Sequence, residues 1–312
     1  MTAVDEAATT DSGDHDSARS DRPSKASAYE LRWWHEVLYI VLVYFAYSAV
    51  RNQFGSGDGG FVPAETALNH AKAVIQVERN LRLYFEPDLH QWYLGLPGHG
   101  VVRFWNVYYG LGHFVITATA LVLMFRRQPW RYRLWRNTLA ATTMLALVGF
   151  ASFSLMPPRL LDDPGTFGGC QVYAADGSPS AADRERLPAD AGDAPCDEFG
   201  YVDTVAVYGG WASFGSEEMA KVSNQYAAMP SMHIGWSTWC ALVLAPMVRR
   251  RWLKTLVIAY PLATLFDIIV TANHYWIDGL GGLACLASGY AVAWAGTHWW
   301  ETRREVVPIA AA

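Results

Sequence analysis

Apolar residues of this chain gather in six runs of about 20 residues, separated by polar and charged segments. A helix needs about 20 apolar residues to cross the core of a bilayer. The pattern therefore predicts an all-α membrane protein with a bundle of six transmembrane helices. The predicted spans cover residues 33–50, 105–125, 139–156, 232–248, 252–270 and 279–300.

The segments outside these runs predict the rest of the organisation. Residues 1–31 are rich in Asp, Ser and Ala and predict a disordered tail, residues 32–302 form the membrane domain, and residues 303–312 form a second tail. Within the domain, residues 64–93 carry too many charges to span, but their apolar positions recur at helical spacing. They predict an amphipathic helix on the outer membrane surface. Residues 157–229 predict a long acidic loop.

Arginine is concentrated in three connections that lie on one side of a six-span topology. These are "RRQPWRYRLWR" at 126–136, "RRRWLK" at 249–254, and Arg303 with Arg304. Because basic loops stay in the cytoplasm, both termini are predicted to be cytoplasmic and the long loop to lie outside the cell membrane. An outer loop is in an oxidising compartment, so Cys170 and Cys196 are disulfide candidates. Two free thiols are the alternative.

Composition agrees with a membrane location and argues against nucleic-acid binding. Hydrophobic residues make up 52% of the chain and charged residues 17%, and the net charge is -5. This net charge gives no indication of a nucleic-acid surface, so nucleic acid is not an expected partner. No cofactor motif and no metal-ligand spacing occurs, so neither a cofactor nor a metal is expected.

The predicted topology brings four chemically active side chains to the outer face. His233 lies at the start of the fourth span, and His274 just before the sixth. Asp278 follows His274 by four residues, so both share a helix face and the carboxylate can orient the imidazole. Arg159 lies just past the third span. Ser231 and Asn273, beside the two histidines, join Arg159 as predicted phosphate contacts.

These residue types suit displacement at a phosphate ester without a metal. Helix N-termini and a guanidinium attract the anion, one histidine attacks, a carboxylate orients it, and the second histidine donates a proton. Each residue also has a structural alternative, either as an interface histidine or as a partner of the helix dipole. Two further polar residues lie inside predicted spans. His113 is either functional or held by a neighbouring hydroxyl, and Asp267 either supports the site or accepts a packing hydrogen bond.

Two motifs carry a family resemblance. "AMPSMH" at 228–233 and "NHYWIDGLGG" at 273–282 resemble the second and third signature motifs of the type 2 phosphatidic acid phosphatase superfamily, in its inositol phosphorylceramide synthase-like branch. "PPRLL" at 157–161 and "GYVDT" at 200–204 are similar to the same branch. The resemblance implies a six-helix fold and a phosphohistidine mechanism. In it His274 attacks phosphorus, Asp278 orients His274, and His233 protonates the leaving oxygen.

The chain departs from that superfamily at four positions. Ser152 stands where the first motif usually has Lys, and Leu160 where it has Pro. Asp267 and Ile268 replace the Ser-Arg pair of the third motif. The phosphate pocket thus lacks two expected cations, which favours the synthase-like branch. Arg159, Lys221 and the helix N-termini are the candidates to replace them.

The sequence therefore predicts a membrane lipid phosphotransferase that moves a headgroup from a phospholipid or isoprenoid phosphate to an alcohol at the outer face. A lipid phosphate phosphatase is the first alternative, because only the acceptor differs. A transporter that handles metal ions or protons is the second, and a structural scaffold is the third. The sequence does not determine the oligomeric state.

Overall fold

A computed structural model describes residues 32–53, 62–163, 167–170, 199–209 and 224–306. The tail predicted at 1–31, most of the long loop and the last six residues lie outside the described residues. The chain divides into two units, Met1–Val41 and Leu42–Ala312. The described part of the first unit contains only the beginning of helix α1.

The described residues form ten α-helices, one π-helical turn that lies between two consecutive helices, and a short 3₁₀ turn after α6. The helices are α1 (Trp33–Gln53), α2 (Ala64–Asn80), α3 (Glu86–Leu94), α4 (His99–Val107), α5 (His113–Arg127), α6 (Pro129–Ser152), α7 (Thr204–Tyr208), α8 (Met232–Leu244), α9 (Arg251–Val270) and α10 (Trp276–Val306). The π turn, Tyr108–Gly112, joins α4 to α5, and the 3₁₀ turn is Pro158–Leu160.

Each of the six predicted spans contains a helix. Four helical segments of the described chain are long and apolar enough to cross a membrane: Trp33–Gln53, Gly100–Arg127, Arg251–Val270 and Trp276–Trp300. Helix α8 is apolar but shorter, and α6 begins with an arginine-rich turn. Four candidate spans are therefore found, and six membrane crossings stay a prediction.

The single amphipathic helix predicted over 64–93 is wrong in two respects. The segment forms two helices, because the chain leaves α2 at Leu81 and Arg82 takes a left-handed backbone conformation with φ 58°. The apolar face of α2 also packs against the protein, with Leu68 and Ile75 buried in a cluster that includes Met156. An apolar face that already has a protein partner is not free to enter a membrane surface.

Close approach of α8 and α10 positions the site. A side chain at Gly282 of α10 would overlap the backbone carbonyl of Ser231, which caps α8. The amide of Ser231 donates to the backbone carbonyl of Asp278 at 2.9 Å. The missing side chain thus permits the N-terminal ends of both helices to meet, which a larger residue would prevent.

The segment after α6 is held from two sides. The amide of Leu155 donates to the carbonyl of Tyr226 at 2.8 Å, and the amide of Arg159 donates to the carbonyl of Ala272 at 2.7 Å. The segment therefore runs between the approach to α8 and the approach to α10. Arg159 is fixed by its own backbone next to the loop that carries His274.

Candidate active site

His274 and Asp278 form a buried pair at the start of α10. The loop before the helix turns back so that the amides of Asn273 and His274 both donate to the carbonyl of Ile268, at 3.0 and 3.1 Å. His274 Nδ1 lies 3.2 Å from Asp278 Oδ2, and the same oxygen accepts the amide of Tyr275 at 3.0 Å. Since the carboxylate occupies Nδ1, Nε2 is the nitrogen left for chemistry.

His233 faces this pair from another helix. It lies in the first turn of α8, and the centroid of its ring is 5.5 Å from that of His274. The two rings are tilted by 64° to one another. Forty-one positions along the sequence separate the histidines, yet the contact between the ends of α8 and α10 brings them together.

The π turn between α4 and α5 supplies two further rings. Tyr109 stacks on His233 with centroids 4.3 Å apart, and His113 packs its ring edge-on against His233 at 4.4 Å. His113 Nδ1 lies 3.1 Å from the carbonyl of Tyr109, so that nitrogen carries the hydrogen. Turns of π-helix occur frequently at functional sites. His113 therefore belongs, with His233 and His274, to one cluster of histidines. No sequence pattern predicted that Tyr109 would lie beside them.

Arg159 lies beside the cluster and is held by three side chains. Its Nε donates to Asn273 Oδ1 at 3.0 Å, Nη1 to Asp203 Oδ2 at 2.9 Å, and Nη2 to Gln225 Oε1 at 2.8 Å. A guanidinium has five N–H donors, so two remain for an anion. Asp203 belongs to the "GYVDT" stretch, and its contact with Arg159 explains why that stretch accompanies the site.

Ser231 and Asn273, the two predicted phosphate contacts beside the histidines, differ in whether their polar groups are free to bind an anion. The Ser231 side chain is fully buried and its hydroxyl has no hydrogen-bond partner. A buried unpaired hydroxyl is costly, so an acceptor at this place would stabilise it. Asn273 instead donates from Nδ2 to the carbonyl and hydroxyl of Thr271 at 3.2 and 2.9 Å. Both of its amide hydrogens are used in these bonds. Its Oδ1 accepts from Arg159, so Asn273 helps to position that guanidinium.

Comparison with known families agrees with this arrangement. The family model described as the PAP2 superfamily matches residues 72–292, which include the histidines, Asp278 and Arg159. The chain belongs to the PAP2 superfamily. Its apolar helices and this membership identify it as a membrane protein of phosphatase or phosphotransferase type. Neither a curated protein nor a solved structure matches the chain significantly.

The positions where other PAP2 motifs have cations carry none here. The hydroxyl of Ser152 donates to the carbonyl of Val148 at 2.6 Å, and Ile268 is buried in an apolar cluster. Asp267 is fully buried, and neither of its carboxylate oxygens has a hydrogen-bond partner in the part of the chain that the structure describes, so the alternative of a packing hydrogen bond is not seen there. Lys221 lies outside the described residues. Other residues must therefore supply the positive charge of the PAP2 site.

Two other predicted features concern cysteines and metals. Cys170 is buried and takes part in a disulfide, while Cys240 and Cys285 are free. Cys196 lies outside the described residues, so its pairing with Cys170 stays a prediction. No group of three or more His, Cys, Asp or Glu residues with the geometry of a metal site occurs in the described part of this PAP2 chain.

Proposed function

We propose that this PAP2 protein transfers a phosphate-containing headgroup from a membrane lipid to an alcohol through a covalent phosphohistidine. The observation that carries the proposal is the His274–Asp278 pair, with His233 facing it at 5.5 Å between ring centroids. These groups lie at the N-terminal ends of α8 and α10. The arginine distribution along the sequence favours the outer face of the cell membrane for those ends.

In the first step the unprotonated Nε2 of His274 attacks phosphorus. An N–P bond forms, the bond between phosphorus and the leaving oxygen breaks, and His233 donates its proton to that oxygen. Asp278 holds the proton on Nδ1 and stabilises the positive charge that develops on the His274 ring. Its burial strengthens this effect, because few water molecules compete with the carboxylate.

In the second step an acceptor hydroxyl attacks the phosphohistidine. His233, now neutral, removes the hydroxyl proton as the new O–P bond forms and the N–P bond breaks. An alcohol gives headgroup transfer, and water gives hydrolysis. The departures from the first and third PAP2 motifs favour transfer, and hydrolysis of a lipid phosphate by the same groups is the alternative.

Several neutral and charged donors are available to hold the phosphoryl oxygens. Arg159 has two free N–H groups, and Ser231 has an unpaired hydroxyl. The N-terminus of α8, which begins at Met232, adds free backbone amides and the positive end of the helix dipole. Together they offer hydrogen bonds to a phosphate bound beside His233 and His274.

The test uses full-length protein purified in detergent and incubated in a chelator with a native membrane lipid extract. Lipids are followed by mass spectrometry and inorganic phosphate by a colorimetric assay. We expect His274→Ala to lose all detectable turnover, because it removes the nucleophile. His298→Ala is the matched control, because His298 lies in α10, 24 positions beyond His274, where its ring stacks on Trp294.

The products separate the alternatives. A new headgroup-bearing lipid without phosphate release supports transfer, and phosphate release that depends on His274 supports hydrolysis. Phosphohistidine is labile in acid and stable in base, so a radiolabelled intermediate should show that pattern and be absent from His274→Ala. Turnover retained in His274→Ala would overturn the proposed mechanism. Turnover that occurs without the chelator and is lost when the chelator is added would also overturn it.

A further inference from the structure

Arg51 is a positively charged residue beside the site. In the sequence it precedes the region that matches the family model. It lies in the last turn of α1, 21 positions before the first residue of the 72–292 match. Tyr47 and Val50, in the same part of α1, belong to an apolar cluster that includes Met232, the neighbour of His233. The C-terminal end of α1 is therefore packed beside the N-terminal end of α8.

One short segment holds Arg51 and Arg159 together. Arg51 Nη2 donates to the backbone carbonyl of Asn224 at 3.4 Å, and Asn224 Nδ2 donates back to the carbonyl of Arg51 at 3.2 Å. The next residue, Gln225, accepts from Arg159. Arg51 is also close enough to the His233 ring to interact with it electrostatically. Both guanidinium groups thus flank the histidine cluster.

The hydrogen bonding of Arg51 is incomplete. Among the described residues its buried Nε has no hydrogen-bond partner, and the bond from Nη2, at 3.4 Å, is long for a charged donor. Arg159 has a carboxylate partner in Asp203 at 2.9 Å, whereas no carboxylate forms an ion pair with Arg51 within the described ranges. A buried guanidinium nitrogen with an unpaired hydrogen is costly, and an anion next to it relieves that cost.

We propose that Arg51 is a phosphate-binding residue of this site and, together with Arg159, supplies the positive charge that positions 152 and 268 lack. The inference rests on the proposed function, because it assigns Arg51 to the phosphate group of the same substrate. Arg51 contacts Asn224 and Arg159 contacts Gln225, so both guanidinium groups are held beside the site by neighbouring residues of one segment. A planar guanidinium can make a two-pronged contact with phosphoryl oxygens.

The test measures binding of inorganic phosphate to full-length protein by isothermal titration calorimetry. A hydrogen bond to a charged group accounts for about 10- to 100-fold in affinity, so Arg51→Gln should weaken phosphate binding by roughly that factor. Arg51→Lys, which retains the charge but not the two-pronged contact, should lie in between. Arg103→Gln is the control, because exposed Arg103 likewise donates to a backbone carbonyl, that of Tyr208 at 3.0 Å.

Phosphate binding and turnover separate the two proposals. Unchanged phosphate affinity in a folded Arg51→Gln variant overturns the role of Arg51, even where turnover depends on His274. Weakened phosphate binding in Arg51→Gln without any turnover in the wild type supports Arg51 and counts against the proposed reaction. Both measurements use the same preparation, so a difference between them reflects the residue rather than the sample.

A measurement on the wild type covers the case in which Arg51→Gln does not fold. Saturating phosphate should slow the modification of Arg51 by phenylglyoxal, followed by peptide mass spectrometry, and leave the rate at Arg103 unchanged. Equal rates at Arg51 with and without phosphate would overturn the assignment.

Discussion

Replacing Asp278 by Asn tests the part of the site that is most fully defined. The carboxylate is completely buried, and one oxygen accepts both His274 Nδ1 at 3.2 Å and the amide of Tyr275 at 3.0 Å. Asparagine has the same size, and the bond between Ser231 and residue 278 uses only backbone atoms. The substitution therefore changes the electrostatics of the pair and leaves the contact between α8 and α10 in place.

The expected loss follows from two effects. A hydrogen bond to a charged group contributes about 1.5–3 kcal/mol, and each 1.36 kcal/mol is tenfold in rate, so the weaker support of the positive His274 ring lowers kcat by about 10- to 150-fold. An amide that turns its NH₂ group toward Nδ1 also favours the tautomer with the proton on Nε2, which blocks the nucleophile. We expect a total decrease in kcat of about 10²- to 10⁴-fold.

The assay is His274-dependent turnover of the lipid substrate, with kcat and KM measured separately. KM should change little, because Asp278 does not contact the substrate. Asp162→Asn is the matched control: Asp162 also accepts two backbone amides, those of Phe199 at 3.2 Å and Tyr201 at 2.8 Å, but it has no histidine partner. Asp162→Asn should retain kcat within a few-fold of the wild type.

One result would refute the reasoning. If Asp278→Asn retains kcat within about threefold while His274→Ala is inactive, the carboxylate does not support the nucleophile, because the loss of one charged hydrogen bond alone predicts at least about tenfold. A rise in KM without a fall in kcat would instead place Asp278 in substrate binding.

Two predictions concern stability. Burial, and next the charge of the neighbouring Glu86, raise the pKa of Glu78 to about 9 from an ordinary 4.5. The folded protein therefore favours the protonated form, and its stability falls as the pH rises from about 4.5 to 9. Glu78→Gln should remove this fall, measured as the unfolding temperature from pH 5 to 9. An equal pH dependence in the variant would show that Glu78 is not its source. Gly282→Ala should lower the unfolding temperature and turnover together, because its methyl group overlaps the Ser231 carbonyl, whereas Gly296→Ala, in the same helix with open space around it, should change neither.

The local features of this protein follow from its sequence. Each of the six apolar runs contains a helix, because run length and hydrophobicity act within one segment of chain. The contact between His274 and Asp278 agrees with their spacing of four residues, but His274 lies in the loop two positions before α10 begins, so the two residues do not share a helix face. Membership of the PAP2 superfamily agrees with the motifs at 228–233 and 273–282.

Burial of the segment between α1 and α4 was not predictable from its pattern. Charged residues there suggest a solvated face, yet Glu78 and Glu86 are completely buried, and Glu86 accepts the amide of Trp276 at 3.2 Å. An amphipathic pattern shows that a helix has an apolar face, but it does not say whether a membrane or the rest of the protein covers that face. Only the packing of α2 against residues such as Met156 decides this.

The composition of the site depended on tertiary structure in the same way. Arg51 and Asn224 are 173 positions apart, and Arg159 and Asn273 are 114 apart, so no local pattern links them. Their contacts depend on how α1, the segment after α6 and the approaches to α8 and α10 pack against one another. The sequence by itself predicted the helices and singled out His233, His274 and Asp278 as candidate site residues. The tertiary structure decided which cations and rings surround them, because those contacts depend on how separate helices pack.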